Sequence, residues 1–537
     1  MSRAMKWSIW IAAVTGGLLM ALFATGWWIS RRIDPFVREK THAYLERRFE
    51  SRVELRSMSV SVPVKSPLAM LLNRGRGAKI HVRIEGLALH HHTSPDRPPL
   101  IRIASARVEV DMESLRRETV LAGPVELNGL EITIPPEGER PTIGEKADGE
   151  TVPDRQAQDK PKPPQVRIDG IRTDGARLTI LPLDSSKNPL VYEIHRLLMN
   201  SAGPGVPLRY TATLTNANPP GQIQSKGAFG PWDASEPSET ALSGDYDFRD
   251  ADLGVFKGVA GTLSSTGRFK GKLSEFEVDG ETRTPNFRLK SSGNPVPLTT
   301  QFHALVDGTN GNTVLQPLDA TLGSSKFRVN GGIVRNVDEK GKTVDLDVLL
   351  VRGSIEDLLR LAMKDKHPFL RGSVALKMKF VLPPGRGEIA DRLKIDGGFK
   401  LDDAHFTTPA IRSKLDELSR RGQGQPKNLE ISEVPARLAG DFHLANGKID
   451  FPRVGFAVPG AVVDLKGIYD FNTEMLDFHG SLKLDATVSQ TQSGWKRWAL
   501  KPVNRFFSKE GAGTYLPIAI TGPSSSPVFG RDRDSKR

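Results

Sequence analysis

KIHVRIE, residues 79–85, alternates apolar and polar residues without a break. In an extended chain Ile80, Val82 and Ile84 fall on one side, and Lys79, His81, Arg83 and Glu85 on the other. That is the pattern of a strand with one dry and one wet face. The alternation continues along the sequence. Val108 and Val110 are interleaved with Arg107, Glu109 and Asp111; Ile132 and Ile134, Val166 and Ile168, then Leu178 and Ile180 extend it. Farther on, Phe302, Ala304 and Val306 share a side, as do Val344, Leu346, Val348 and Leu350, opposite Asp345 and Asp347. Val374, Leu376, Met378, Phe380 and Leu382 form another such run. Asp-Gly and Asn-Gly pairs at 174–175, 279–280, 307–308, 330–331 and 446–447 suit the positive φ of tight hairpins. The expected fold is therefore mainly β, an elongated antiparallel repeat sheet.

Apolar residues at helical spacing interrupt this pattern in a few places. SIEDLLRLAMK (354–364) and IRSKLDELSRR (411–421) each predict a short amphipathic helix. Asp34-Pro35 reads as an N-cap with proline at the first helical position, opening a helix of about four turns over 34–49 that caps the end of the sheet. A further amphipathic stretch carries Trp495, Trp498, Phe506 and Phe507.

Residues 7–29, WSIWIAAVTGGLLMALFATGWWI, are uncharged. As a helix they reach about 34 Å, enough to cross a hydrocarbon core of roughly 30 Å. Trp7, Trp10, Trp27 and Trp28 near the two ends suit the headgroup level. A single-pass anchor is expected; the alternative, a cleaved signal peptide, has a shorter apolar run and is not usually followed by two tryptophans. The flanking charges, Arg3 and Lys6 before and Arg31, Arg32, Arg38, Lys40, Arg47 and Arg48 after, lean against export of the large side. Residues 135–164 have almost no apolar side chain to offset the entropy of ordering, and predict a disordered insertion.

The 537 residues include no cysteine, which excludes disulfides, thiolate metal sites and cysteine nucleophiles. The formal charge is +12, but the basic residues are scattered among the strands and no nucleic-acid motif accompanies them. The charge fits a solvated face near anionic headgroups. No nucleophile elbow, P-loop or HExxH occurs. Asp245, Asp247, Asp250 and Asp252 form a cluster, but Arg249 stands where a calcium loop needs an oxygen ligand. His90, His91 and His92 are adjacent and cannot share one side of a strand. No metal, cofactor or catalytic residue is expected. Apolar faces of so many strands either stack into ordinary sandwich cores or leave an open groove for acyl chains.

Three stretches carry a resemblance. Residues 102–134 run strand, short leucine-bearing helix, then a strand pair ending in Gly129-x-x-Ile132-x-Ile134; residues 227–280 form the second. Residues 440–490 contain Asn446-Gly447 and Pro459-Gly460-Ala461, followed later by Leu516-Pro517-Ile518-x-Ile520-x-Gly522. In this order they resemble the AsmA family and its C-terminal domain, related to TamB and the chorein-type bridge-like lipid-transfer proteins. The resemblance implies a U-shaped β-groove and a non-enzymatic protein held in a bacterial inner membrane with its body in the periplasm. It also implies conduction of phospholipid towards the outer membrane. The expected lining is Ile80, Val82, Ile84, Val108, Val110, Ile132, Ile134, Ile168, Leu178, Ile180, Val348, Val374, Leu376, Met378 and Phe380, matched by pattern. The implied organisation is a tail and anchor (1–32), an N-terminal β-region (33–134), the insertion (135–164), a central groove (165–400), the C-terminal domain (401–525) and a polar tail (526–537). The alternative is a scaffold that holds envelope or outer-membrane proteins during assembly.

Overall fold

Branched and aromatic residues at every second position favour the pleated conformation, and strands dominate wherever the chain is described. The computed structural model describes residues 52–61, 79–90, 98–111, 113–114, 119–134, 165–181, 189–200, 207–231, 239–308, 311–335, 341–385, 389–470, 473–486, 513–523 and 526–532. The expected anchor with Trp7, Trp10, Trp27 and Trp28, the helix at 34–49, the insertion and the stretch around Trp495 lie outside the described residues. Among the described residues no helix is long and apolar enough to cross a membrane. The chain divides into two units, 1–248 with 270–273, and 249–269 with 274–537.

The first unit is an open sheet. Its strands are β1 (Val53–Ser61), β2 (Lys79–Leu89), β3 (Ile101–Asp111), β4 (Thr119–Ala122), β5 (Val125–Ile134), β6 (Gln165–Ile168), β7 (Gly170–Ile180), β8 (Leu190–Asn200), β9 (Leu208–Ala217) and β10 (Pro220–Phe229). They pair in the order β1-β2-β3-β5-β7-β8-β9-β10. The expectation of a wholly antiparallel sheet needs correction here, because β5 runs parallel to β7 and β4 parallel to β6. Pro124 breaks β4 from β5 and Asp169 breaks β6 from β7, so 119–134 and 165–180 act as two long parallel strands. Parallel neighbours need a connection that returns the chain to the starting end. The insertion at 135–164 is that connection.

A second feature escapes simple alternation. In β2 the apolar phase changes from Ile80, Val82 and Ile84 to Leu87 and Leu89, at Gly86 with φ +65°. In β5 it changes at Gly129 (φ +60°) and in β7 at Gly175 (φ +74°). A Cβ at Gly86 would lie 2.8 Å from the Arg56 Cβ, and one at Gly129 2.7 Å from the Ala104 Cβ. The partner strands change phase at the same level, from Leu55 to Met58 in β1 and from Ile103 to Ala106 in β3, so the pairing passes through with no shift of register and the apolar side chains stay on one face. Asp174-Gly175 therefore sits inside a strand, as do Asp279-Gly280 and Asn330-Gly331; of the five expected turn pairs, Asn446-Gly447 closes a two-residue hairpin, with φ +52° and +70°.

β11 (Ala241–Asp252) holds the aspartate cluster in extended backbone, where spacing by two puts Asp245 and Asp247 on one side, and the positive φ of Asp250 (+54°) interrupts the alternation before Asp252. Asp252 instead accepts from the Gly254 amide at 2.7 Å, capping a short turn. Among the described residues no group of side chains is placed to hold a metal.

The second unit contains β12 (Val259–Ala260) paired with β15 (Arg288–Leu289), the strand β13 (Thr262–Lys272), and a long antiparallel run. That run comprises β14 (Phe276–Thr284), β16 (Leu298–Val306), β17 (Thr313–Leu322), β18 (Ser325–Val334), β19 (Thr343–Ser354), β20 (Leu370–Leu382) and β21 (Lys394–Phe406). It continues through β22 (Ala436–Ala445), β23 (Lys448–Val458), β24 (Ala461–Asp470), β25 (Met475–Leu484), β26 (Thr514–Pro523) and β27 (Val528–Arg531). Each strand pairs with the next in sequence from β16 to β27, and β14 pairs with β16. The expected boundary at 400/401 falls inside β21, where alternation continues, and β27 lies in the expected polar tail.

Among the described residues three helices interrupt the run: α1 (Ile355–Ala362), α2 (Ile389–Arg392) and α3 (Pro409–Gly422). α1 is pinned at both ends. Buried Asp357 accepts from the Ser324 amide, the Ser324 hydroxyl and the Ser325 hydroxyl, each at 2.8 Å. Buried Asn294 donates to the Met363 carbonyl at 2.7 Å, satisfying a helix-end acceptor. α3 is tied to the β23–β24 turn by the Ser419 hydroxyl, which donates to the Pro459 carbonyl at 2.8 Å. Ile355, Leu358 and Leu359 of α1 and Leu418 of α3 cover a core of Leu350, Leu370, Val374, Leu401, Ala404, Ala436, Val458, Ala461 and Leu484. That core lies at one end of the strands. The rest of the apolar face is half-buried.

Candidate functional site

Register brings the apolar positions of the second unit into rows that cross the strands. Val329 is opposite Val348, Val348 opposite Met378, Met378 opposite Gly397, and Gly397 opposite Phe442. A bulge separates β22 from strict register with β23, yet the Phe442 and Phe451 rings remain 6.5 Å apart. The row goes on through Phe451, Gly467, Phe478, Ile520 and Phe529. At about 4.8 Å per strand, ten strands from β18 to β27 give a row about 43 Å long.

A parallel row runs through Leu350, Leu376, Phe399, Gly440, Val454, Leu465, Gly480 and Ile518. Another runs through Leu346, Phe380, Ile395, Leu444, Ile449, Tyr469 and Leu476. Three rows two residues apart cover a width of about 13 Å, so the face is on the order of 500 Å² in plan. That is as large as the largest apolar patch of a typical monomer, and such patches are often functional.

Large rings alternate with glycines along the rows. Phe399, Phe442, Phe451 and Phe478 form a ladder with centroid separations of 6.4, 6.5 and 5.6 Å. A side chain at Gly397 would approach the Phe442 Cζ to 2.9 Å and the Met378 Cβ to 2.8 Å, and one at Gly467 would meet the Asp477 carbonyl at 2.2 Å. The surface is therefore ribbed, with aromatic ridges over glycine troughs.

Several expected lining residues meet in this way. Val348 and Met378 are cross-strand partners, Leu376 faces Leu350 and Phe380 faces Leu346. Val374 does not belong with them. It is 2% exposed and faces Leu401 beneath α1, because alternation identifies a side of the strand and not what covers that side.

In the first unit Val82 pairs with Val60 and Val108, and Ile80 with Val110. Ile84 packs against the small core of Val53, Leu55, Leu87 and Leu89. Ile132 faces Ile101 and Leu178, and Ile180 is aligned with Ile134 and Leu190. Ile168 stands apart at 38% exposure on short β6, aligned with Ala122. Tyr192, beside Leu178, has its hydroxyl pKa raised by burial.

The reverse face is charged. Lys379 pairs with Asp345 at 3.4 Å, Lys448 with Asp470 at 3.1 Å, and His443 with Asp396. Within the first unit, Lys79 and Glu109 pair at 2.8 Å; their mutual hydrogen bond holds the lysine above and the carboxyl below the usual value. His479 sits between Asp477 at 3.0 Å and Asp532 at 3.2 Å. Burial lowers its pKa, but hydrogen bonds and attraction to the two carboxylates outweigh that, and the net shift is upward. These groups form solvated ion pairs between strands. One surface is apolar and ribbed, the other ionic, a contrast that can sort an amphiphile. Comparison with protein-family models, with curated proteins and with solved structures gives no match.

Proposed function

We propose that the apolar face is a track for the acyl chains of phospholipid. On this reading the chain is a non-enzymatic lipid conduit of the AsmA type, with its strands curved into a U-shaped groove. It is anchored in a bacterial inner membrane with its body in the periplasm, and it passes lipid towards the outer membrane. The observation that carries the reading is the half-buried row from Val348 through Met378, Phe442 and Phe451 to Phe478, next to a core that is fully covered. Chains would slide over the ridges and troughs while headgroups stay at the wet margin. The driving force is burial of apolar surface, which requires no cofactor.

Photo-crosslinking residues placed at Val348 and Met378 in living cells test this. Lipid adducts at both positions are expected. Adducts to protein and never to lipid overturn the reading.

A second reading rests on the edge strand β27, where Val528 and Phe529 are 61% and 66% exposed. An exposed apolar edge is a template for adding a strand from another chain. A scaffold for envelope proteins would use it, and protein crosslinks at Phe529 without lipid at Met378 favour that alternative.

A further inference from the structure

On the ionic side of the second unit, β14, β16, β17, β18 and β19 line a cavity of about 790 Å³. Its geometry is set by register. Arg283 is opposite Thr299, Thr299 opposite Thr321, and Thr321 opposite Lys326, so two cations flank two hydroxyls. One step along the strands, Glu281, Gln301, Asp319 and Arg328 form the neighbouring row. Arg283 is held by Glu281 at 3.1 Å and Arg328 by Asp319 at 3.5 Å, which orients both guanidinium groups.

A bulge supplies a further cation. The β19–β20 register shifts between Leu350 and Gly353, both of which stay on the apolar side opposite Leu376 and Val374. The two residues between them, Val351 and Arg352, consequently both lie on the cavity side. Without the bulge Arg352 would share the side of Val348 and Leu350. Lys326 and Arg352 thus add two positive charges to a lining whose two carboxylates are already matched by two arginines. Three strand intervals separate Arg283 from Lys326, about 14 Å between backbones, a span that both long side chains can close over the two threonines.

We propose that this cavity is a second binding site, for an anionic phosphate-bearing group. Guanidinium forks, an ammonium and hydroxyls match phosphate oxygens, and the volume lies in the range of small-ligand sites. Exposed Leu349 (42%) and Val351 (74%) at the β19 margin offer apolar contact to whatever the phosphate is attached to. The phosphate belongs either to a lipid headgroup or to a free phosphorylated compound. The site is on the opposite face from the acyl track and does not depend on it.

The test is calorimetric titration of the full chain in neutral detergent with inorganic pyrophosphate, short-chain phosphatidylglycerol and short-chain phosphatidylcholine. The variant is Lys326→Gln with Arg352→Gln. The control, Lys377→Gln with Lys466→Gln, removes the same charge outside the cavity. Pyrophosphate is expected to bind, the cavity variant to weaken it at least about tenfold, and the control to leave it within about twofold. Phosphatidylglycerol binding tighter than pyrophosphate and weakened by the same variant identifies a headgroup; pyrophosphate alone responding identifies a free compound. No binding at millimolar pyrophosphate, or equal losses in variant and control, overturns the proposal. Phosphatidylcholine bound equally by all three proteins separates this outcome from the fate of the acyl track.

Discussion

Replacing Phe451 by aspartate distinguishes an open apolar face from a covered core. Phe451 is half-buried, with the Phe478 ring at 5.6 Å and the Phe442 ring at 6.5 Å. Each ring pair contributes about 0.5–1.5 kcal/mol beyond area burial. Putting aspartate into a central strand costs about 1 kcal/mol more. The new carboxylate stays hydrated on an open face, so no large desolvation cost is added. Losing the half-burial of the ring adds about 1 kcal/mol, so Phe451→Asp is expected to destabilise the second unit by about 3–5 kcal/mol and leave it folded.

Leu350→Asp is the reference. Leu350 is 0% exposed in the core under α1. Truncation of such a leucine alone costs about 2–5 kcal/mol, and an unpaired buried charge adds several more. That sum consumes most of the 5–15 kcal/mol that holds a domain together. Urea denaturation of both variants, followed by circular dichroism, reads the difference directly. Displacement of a fluorescent fatty acid reports whether Phe451→Asp has also lost acyl binding. Equal destabilisation by the two substitutions would refute the open face, because it would place Phe451 in a closed interior.

Asp357→Ala strips three hydrogen bonds from the β17–β18 hairpin and is expected to cost about 3 kcal/mol, with Asp357→Asn recovering most of it in urea melts; equal losses for both would show that the carboxamide cannot replace the acceptor. His479 has its folded pKa raised above 6.5, so its contribution to holding Asp532 after β27 is complete below that value and is lost as pH rises through the folded pKa. Amide exchange in β27, corrected for intrinsic rate, should quicken across that window in the wild type and not in His479→Gln. The return path beside 119–134 is about 16 residues of strand, roughly 50 Å. Shortening 135–164 to about 20 residues should leave melting unchanged, and shortening it to ten should abolish cooperative folding of the first unit; folding with ten would contradict the parallel β5–β7 pairing.

Alternation alone located most strands, because a side chain that must choose between water and a dry face imposes period two on the sequence. SIEDLLRLAMK and IRSKLDELSRR likewise announced α1 and α3 to within two residues or so. What alternation could not reveal was coverage. Val374 and Met378 lie in the same phase of the same strand, yet one is under α1 and the other is on the half-buried face. Nor does period two carry information about chain direction, so the parallel β5–β7 pair stayed hidden, although a long polar insertion before a strand was a usable signal for it. Phase changes were the third blind spot. Gly86, Gly129 and Gly175 each change the apolar phase without breaking the strand, and the bulge after Leu350 moves Arg352 away from the side that counting would assign it. The phosphate cavity was missed for that reason.

The two faces of β18 and β19 impose opposite requirements on one backbone. Val329, Val348 and Leu350 need apolar neighbours, whereas Lys326, Arg328 and Arg352 need counter-charge or water. In a sheet buried on both sides the second set would be prohibitively costly. In a sheet exposed on both sides the first set would drive edge-to-edge or face-to-face association. A stable monomer with this sequence therefore needs an apolar occupant on one face and an aqueous environment on the other. α1 and α3 fill that role at one end of the strands, over Leu350, Val374 and Leu401. Acyl chains are occupants of suitable chemistry for the remaining length, since they cover Met378, Phe442 and Phe451 without leaving any backbone group of the sheet unpaired.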